Sequence, residues 1–70
     1  MKHSTPNKLV SEMIESRVQA GLSQKEVAKK MGTSQPAVAR LESGNSPSLR
    51  SLERYAKAVG RKLEIHLVAP

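Results

Sequence analysis

Apolar residues recur along the chain at steps of three and four in four separate runs, and a glycine closes each run. In the first, Leu9, Val10, Met13, Ile14 and Val18 share one helical face, and Gly21 ends it. Thr5 and Pro6 read as an N-cap and a proline at the first helical position, which leaves residues 1–5 as a polar arm. The second run is Val27, Ala28 and Met31. Ser23 and Glu26 ahead of it form a capping box, and Gly32 stops it. The third run, Val38 and Leu41, begins almost at once, with Ser34 or Thr33 as the cap. Pro36 falls in its first turn, where amide hydrogens lack intrahelical partners in any case. Gly44 closes it, "SGNSPS" is a loop, and Ser48 caps a fourth run of Leu49, Leu52, Ala56 and Val59 that ends at Gly60. The pattern predicts an all-α domain of four helices over residues 6–60.

The period then changes. In "KLEIHLV", Leu63, Ile65 and Leu67 alternate with Lys62, Glu64 and His66, as in a half-buried strand. The chain has no second strand, so the ladder groups of residues 61–70 need another partner. Pairing with the same strand of a second copy, across a twofold axis, would make a homodimer with Leu63, Ile65 and Leu67 at its interface. The other reading is a frayed tail lying on the first or fourth helix.

The second and third helices, broken only at Gly32-Thr33-Ser34, make a helix-turn-helix. Gly32 supplies the permissive turn, Ala28 allows close approach, and Val38 plugs the underside of the second helix. Such a pair projects the third helix toward a DNA major groove, with Gln35, Pro36, Ala37, Ala39 and Arg40 outward. Gln35 suits an adenine edge, Ala37 a thymine methyl, and Arg40 a guanine edge or a phosphate. Phosphate contacts are expected from Gln24 and Lys25 at the start of helix two, from Ser34 at the start of helix three, and from Asn45, Ser46, Ser48 and Arg50 around the loop. Lys29 and Lys30 fit a solvated back of helix two.

Composition narrows the partners. Seventy residues with 12 Lys and Arg against six Glu and no Asp carry a net charge of +6, which favours a polyanion. One tyrosine is the whole aromatic content, which disfavours single-strand binding by stacked bases. Without cysteine there is no disulfide and no thiolate zinc site, so a small core looks to a partner chain for support. No metal or other cofactor is expected. No apolar run approaches a membrane span, "MKHSTPNKLV" lacks the apolar segment of a signal peptide, and a cytoplasmic location is expected. Helix one mixes Glu12 and Glu15 with Lys8 and Arg17, which does not suit an anionic lipid surface. Two histidines, no aspartate and scattered serines without a base make no catalytic arrangement, so an enzyme is not expected.

The stretch "GLSQKEVAKKMGTSQPAVARLESG" resembles the xenobiotic-response-element family of helix-turn-helix proteins, which includes the lambda-type repressors. The matching positions are Leu22-Ser23-Gln24, Glu26-Val27-Ala28, Gly32, Ser34-Gln35, Val38, Leu41-Glu42 and Gly44. The resemblance implies dimeric binding to a palindromic double-stranded DNA operator, usually for repression. It implies phosphate contact at Gln24, base reading around Gln35, and a structural ion pair between Arg17 and Glu42. Pro36 departs from the polar reader many relatives carry, which shifts weight to Gln35 and Arg40. The ending "RKLEIHLV" replaces a fifth helix and resembles antitoxins of the HigA and HipB kinds, HigA more closely. That likeness implies an antitoxin of a type II toxin–antitoxin operon with a RelE-like RNase toxin as partner. A free-standing phage- or plasmid-type regulator is the alternative.

Overall fold

The computed structural model describes the backbone of residues 4–45 and 47–70 and, Ser46 excepted, the side chains from Lys8 onward. Four helices follow one another: α1 (Ser4–Gln19), α2 (Gln24–Met31), α3 (Gln35–Glu42) and α4 (Leu49–Ala58). α1 thus includes Ser4 and Thr5, and the expected boundary between arm and domain falls inside it.

Local chemistry sets the other ends. At α2 the Ser23 hydroxyl accepts from the Glu26 amide at 3.1 Å, and the Ser23 amide donates to Glu26 Oε1 at 2.8 Å. The Ser23 amide first, and the Ser23 hydroxyl after it, hold the exposed Glu26 carboxyl below its ordinary range. At its far end Gly32 adopts φ 70°, a left-handed conformation that a Cβ would strain. The reversal lets the Thr33 amide return to the Ala28 carbonyl at 2.9 Å. Ser34 caps α3 and Ser48 caps α4, each accepting from the amide three residues on.

The core is Met13, Val27, Ala28, Met31, Val38, Tyr55 and Val59, with Leu9, Leu22, Leu41 and Leu52 packed against it. α2 lies on both α3 and α4, and α1 lies on α3. Tyr55, Val27 and Val38 are the fully buried side chains, each worth roughly 1.5–3 kcal/mol of apolar burial. Two expected inward positions face outward instead. Val18 is 61 % exposed and Leu49 is 52 % exposed. Val18 sits in the last turn of α1 and Leu49 in the first turn of α4. Tyr55, not Leu49, fills the core from α4.

Residues 61–70 carry neither helix nor strand. The strand expected over Leu63 to Leu67 is not formed within a single chain, where no neighbour offers ladder bonds. Among the described residues no helix is long and apolar enough to cross a membrane.

Candidate nucleic-acid interface

Five side chains from all four helices form one hydrogen-bonded chain from the core to the surface. At its inner end the Glu42 carboxylate, 7 % exposed, accepts from four donors on three helices. Arg17 Nε donates to Oε2 at 2.7 Å, and Arg17 Nη2 donates to Oε1 at 3.2 Å. The Tyr55 phenol lies 2.6 Å from Oε2 and 3.0 Å from the Met13 carbonyl. It has one hydrogen, and the nearer, charged acceptor is favoured. Gln24 Nε2 donates to Oε1 at 3.0 Å. Arg17 spends a further donor, Nη1, on the Leu22 carbonyl at 3.0 Å. No buried side-chain polar atom among the described residues lacks a partner.

Burial alone would push the Glu42 carboxyl up. The bonds from Arg17, Gln24 and Tyr55, together with the Arg17 charge, outweigh it and hold the group below the ordinary carboxylate range. The same bond to Glu42 raises Arg17 further, and burial followed by the Glu42 bond pushes the Tyr55 phenol up. The carboxylate is therefore charged at neutral pH, and it is purely an acceptor.

At the outer end, Gln35 Nε2 donates to Gln24 Oε1 at 2.6 Å. The first residue of α2 and the first of α3 are thereby held side by side. Gln35 is exposed, as are Pro36 and Arg40, while Ala37 and Ala39 are half-buried. Ala37, Arg40 and Asn45 line a shallow depression with Thr33 and Ser51 on one side of α3. Lys25 and Lys29 flank Gln35 on the other.

The expected phosphate contacts divide. The Ser34 oxygen accepts from the Ala37 amide at 3.3 Å and keeps its own hydrogen to donate. The Ser48 hydroxyl accepts from the Ser51 amide and donates to Ser51 Oγ at 3.0 Å, so its hydrogen is already committed. Lys25, Asn45 and Arg50 are exposed. Ser46 lies outside the described residues. Among the described residues neither Arg40 nor Arg50 has a hydrogen-bonded or ion-paired side-chain partner. Arg54 donates to the Met31 carbonyl and so caps the end of α2.

Sequence reasoning placed Gln24 and Gln35 separately and missed both their contact and the part played by Tyr55. A signal for Tyr55 existed: a single tyrosine three residues after Leu52 and four before Val59 lies on the apolar face of its helix, and a buried phenol needs an acceptor. Leu63 is half-buried, while Ile65 and Leu67 are 62 % and 100 % exposed.

Comparison with known proteins agrees with this geometry. The helix-turn-helix family matches residues 13–65. The chain is 44 % identical over 64 residues to "Antitoxin HigA1" of Mycobacterium tuberculosis, covering 90 % of this chain and 43 % of that protein. It is 40 % identical over 58 residues to an "Uncharacterized HTH-type transcriptional regulator" of Haemophilus influenzae, covering 81 % of this chain and 59 % of that one. The chain therefore spans about half the length of these curated relatives. No solved structure matches the chain. A family match over most of the chain, on a helix pair whose turn, caps and buried ion pair all conform, shows that it belongs to the lambda repressor-like helix-turn-helix family of DNA-binding domains.

Proposed function

We propose that this domain is a sequence-specific repressor that binds a palindromic DNA operator as a homodimer, and that it serves as the antitoxin of a type II toxin–antitoxin operon. The observation that carries the DNA reading is the outer face of α3. Gln35 and Arg40 are exposed on it, Gln24 braces Gln35, and the flanking charge is positive. Between Gln24 and Arg50 there are five Lys and Arg residues and two Glu. Of those two, Glu26 is engaged in the α2 cap and Glu42 is buried, so the face shows a polyanion mainly cations.

Base contacts are assigned to Gln35, Ala37 and Arg40. Phosphate contacts are assigned to Gln24, Lys25, Ser34, Asn45, Ser46, Ser48 and Arg50. Gln24 keeps one amide hydrogen after serving Glu42, which suffices for a phosphate oxygen. For Ser48 the contact requires exchange of its bond to Ser51. Two copies would put their α3 helices in successive major grooves, roughly 34–36 Å apart. The tail supports the dimer. Ile65 and Leu67 lie open, and beside them runs a groove between α1 and α4 floored by Leu9, Met13, Leu52, Val59 and Leu63. Partner strands pairing over 63–67 would cover both.

The antitoxin role rests on the likeness to the Mycobacterium tuberculosis protein of that name, and its target would be a RelE-like RNase. The likeness to a protein named only as a transcriptional regulator favours a second reading, a free-standing regulator without a toxin.

The test is binding of the full chain to the DNA upstream of its own gene, beside random DNA, across a salt series. Arg40→Ala is expected to cost roughly 1–3 kcal/mol on the operator and much less on random DNA. Arg50→Ala is expected to weaken both equally and to reduce the salt slope by about one. Equal losses on both DNAs for Arg40→Ala would remove it from the base readers, and an unchanged slope would remove Arg50 from the phosphate contacts. Co-purification with a small RNase-like product of a neighbouring gene would separate antitoxin from free-standing regulator.

A further inference from the structure

We propose that Glu42, buried beneath α3 and out of reach of DNA, is a positioning residue that sets which base Gln35 accepts. The inference rests on the base-reading role of Gln35 given above. Its physical content is the direction of a row of hydrogen bonds.

A carboxylate has acceptors only. Glu42 Oε1 can therefore face only the amide nitrogen of Gln24, which it does at 3.0 Å. With its nitrogen turned inward, Gln24 must present its oxygen outward. Gln35 in turn must aim its own nitrogen at that oxygen, which it does at 2.6 Å. Gln35 is left with one N–H and its carbonyl oxygen, side by side, for a base edge. That pair complements adenine, which offers an acceptor at N7 and a donor at N6. It does not complement guanine, whose N7 and O6 are both acceptors and would set O6 against the Gln35 oxygen. Reversing one amide anywhere in the row reverses those beyond it. The row is fixed at its origin, because Arg17 clamps both carboxylate oxygens and Tyr55 takes a further lone pair.

Glu42→Gln keeps the shape and changes the polarity. The new carboxamide oxygen settles at the Oε2 position, where the nearer donors wait, the Tyr55 phenol at 2.6 Å and Arg17 Nε at 2.7 Å, and the longer bond from Arg17 Nη2, 3.2 Å at the Oε1 position, is given up. The new NH2 then occupies the Oε1 position and faces Gln24. Gln24 turns its oxygen inward and its nitrogen outward, and Gln35 answers with its oxygen. What remains for the base edge is the NH2 of Gln35, two donors, which suits guanine. Tyr55→Phe is the control, because it loosens the same cluster and leaves an acceptor-only carboxylate at the origin.

The experiment selects from a randomised DNA duplex pool with the full chain, and finds the Gln35 position as the one whose preference disappears in Gln35→Ala. Relative affinities for adenine and guanine there are then measured for the native chain and five variants. The native chain and Tyr55→Phe are expected to prefer adenine by roughly five- to hundredfold, the range of a good bidentate pair. Glu42→Gln is expected to lose that preference or to prefer guanine. Gln35→Ala/Glu42→Gln is expected to match Gln35→Ala alone. Gln24→Leu cuts the row without touching the buried cluster, and serves if Glu42→Gln does not fold. It frees Gln35 to turn for either base, so the adenine-to-guanine ratio is expected to fall by about fivefold or more. An unchanged ratio in Glu42→Gln, with all sequences weakened alike, would overturn the proposal. So would an unchanged ratio in Gln24→Leu. A native chain that selects no sequence would instead remove the base-reading role itself, and the inference with it.

Discussion

Glu42→Ala is expected to leave much of the population unfolded at room temperature. The substitution strands an Arg17 guanidinium and a Gln24 amide around a site from which water is largely excluded, and leaves the Tyr55 phenol the Met13 carbonyl alone. Breaking a buried pair from one side costs about 3–5 kcal/mol, because the remaining charge keeps its desolvation penalty and loses its compensation. Here the low end applies. The Arg17 side chain is 16 % exposed, so it can turn partly to water, and it keeps its bond to the Leu22 carbonyl. A loss of about 3 kcal/mol is still comparable with the total stability of roughly 3–5 kcal/mol that a core this small supplies. Urea unfolding followed by far-ultraviolet circular dichroism measures it. A loss below about 1 kcal/mol would put the pair in the class of solvent-exposed ion pairs.

The same cluster gives a pH dependence with a definite sign. Glu42 titrates below its ordinary value in the folded chain. Its contribution is therefore complete above the unfolded carboxylate value of about 4.3 and fades as pH falls through the lower folded value. Tyr55 is displaced the other way, so its contribution is complete below about pH 10 and is lost only as pH rises through the folded value. Melting temperatures are expected to be flat across neutral pH with respect to this cluster and to fall in acid. In Glu42→Gln the acid fall is expected to shrink.

The helix pattern was legible because its punctuation is local. The Ser23–Glu26 box, the left-handed Gly32 and the serine caps at 34 and 48 each depend on residues within one turn. The helix-turn-helix followed from those signals and from Ala28 and Val38. What was not legible is decided across the chain. Rows at three and four give α4 two candidate faces, one through Leu49 and one through Tyr55. The second wins because Glu42, 13 residues earlier, accepts the phenolic hydrogen and permits the burial of a hydroxyl. Gln24 and Gln35 are 11 residues apart and meet only because the turn between them is so short. The tail is a harder case: its alternation is plain, yet a single chain holds no strand to pair with it.

The tail carries the other large expected effect. A chain ending at Arg61 is expected to be a monomer whose affinity for a palindromic site falls by roughly 10²–10⁴, because two half-sites bound as one unit gain an effective concentration that separate domains lack. Folding of the shortened domain is not at issue. Ile65, Leu67 and Val68 are 62 %, 100 % and 85 % exposed and belong to no part of the core. Arg61 itself is retained, and with it the bond from its amide to the Ala56 carbonyl at 2.8 Å that closes α4 and the bond from its side chain to Gln19 at 2.7 Å. Circular dichroism should therefore show the same helices in both chains, and mass in solution should differ by a factor of two. Contact of the shortened chain with a single half-site should persist, with the Arg50→Ala effect on its salt slope unchanged, since none of the assigned DNA contacts lies beyond residue 50. A shortened chain that remains dimeric would move the interface to the α1–α4 groove alone. A full chain that is monomeric at the concentrations where it binds DNA would exclude the tail as a clasp, because three open apolar side chains would then be left uncovered by a second copy.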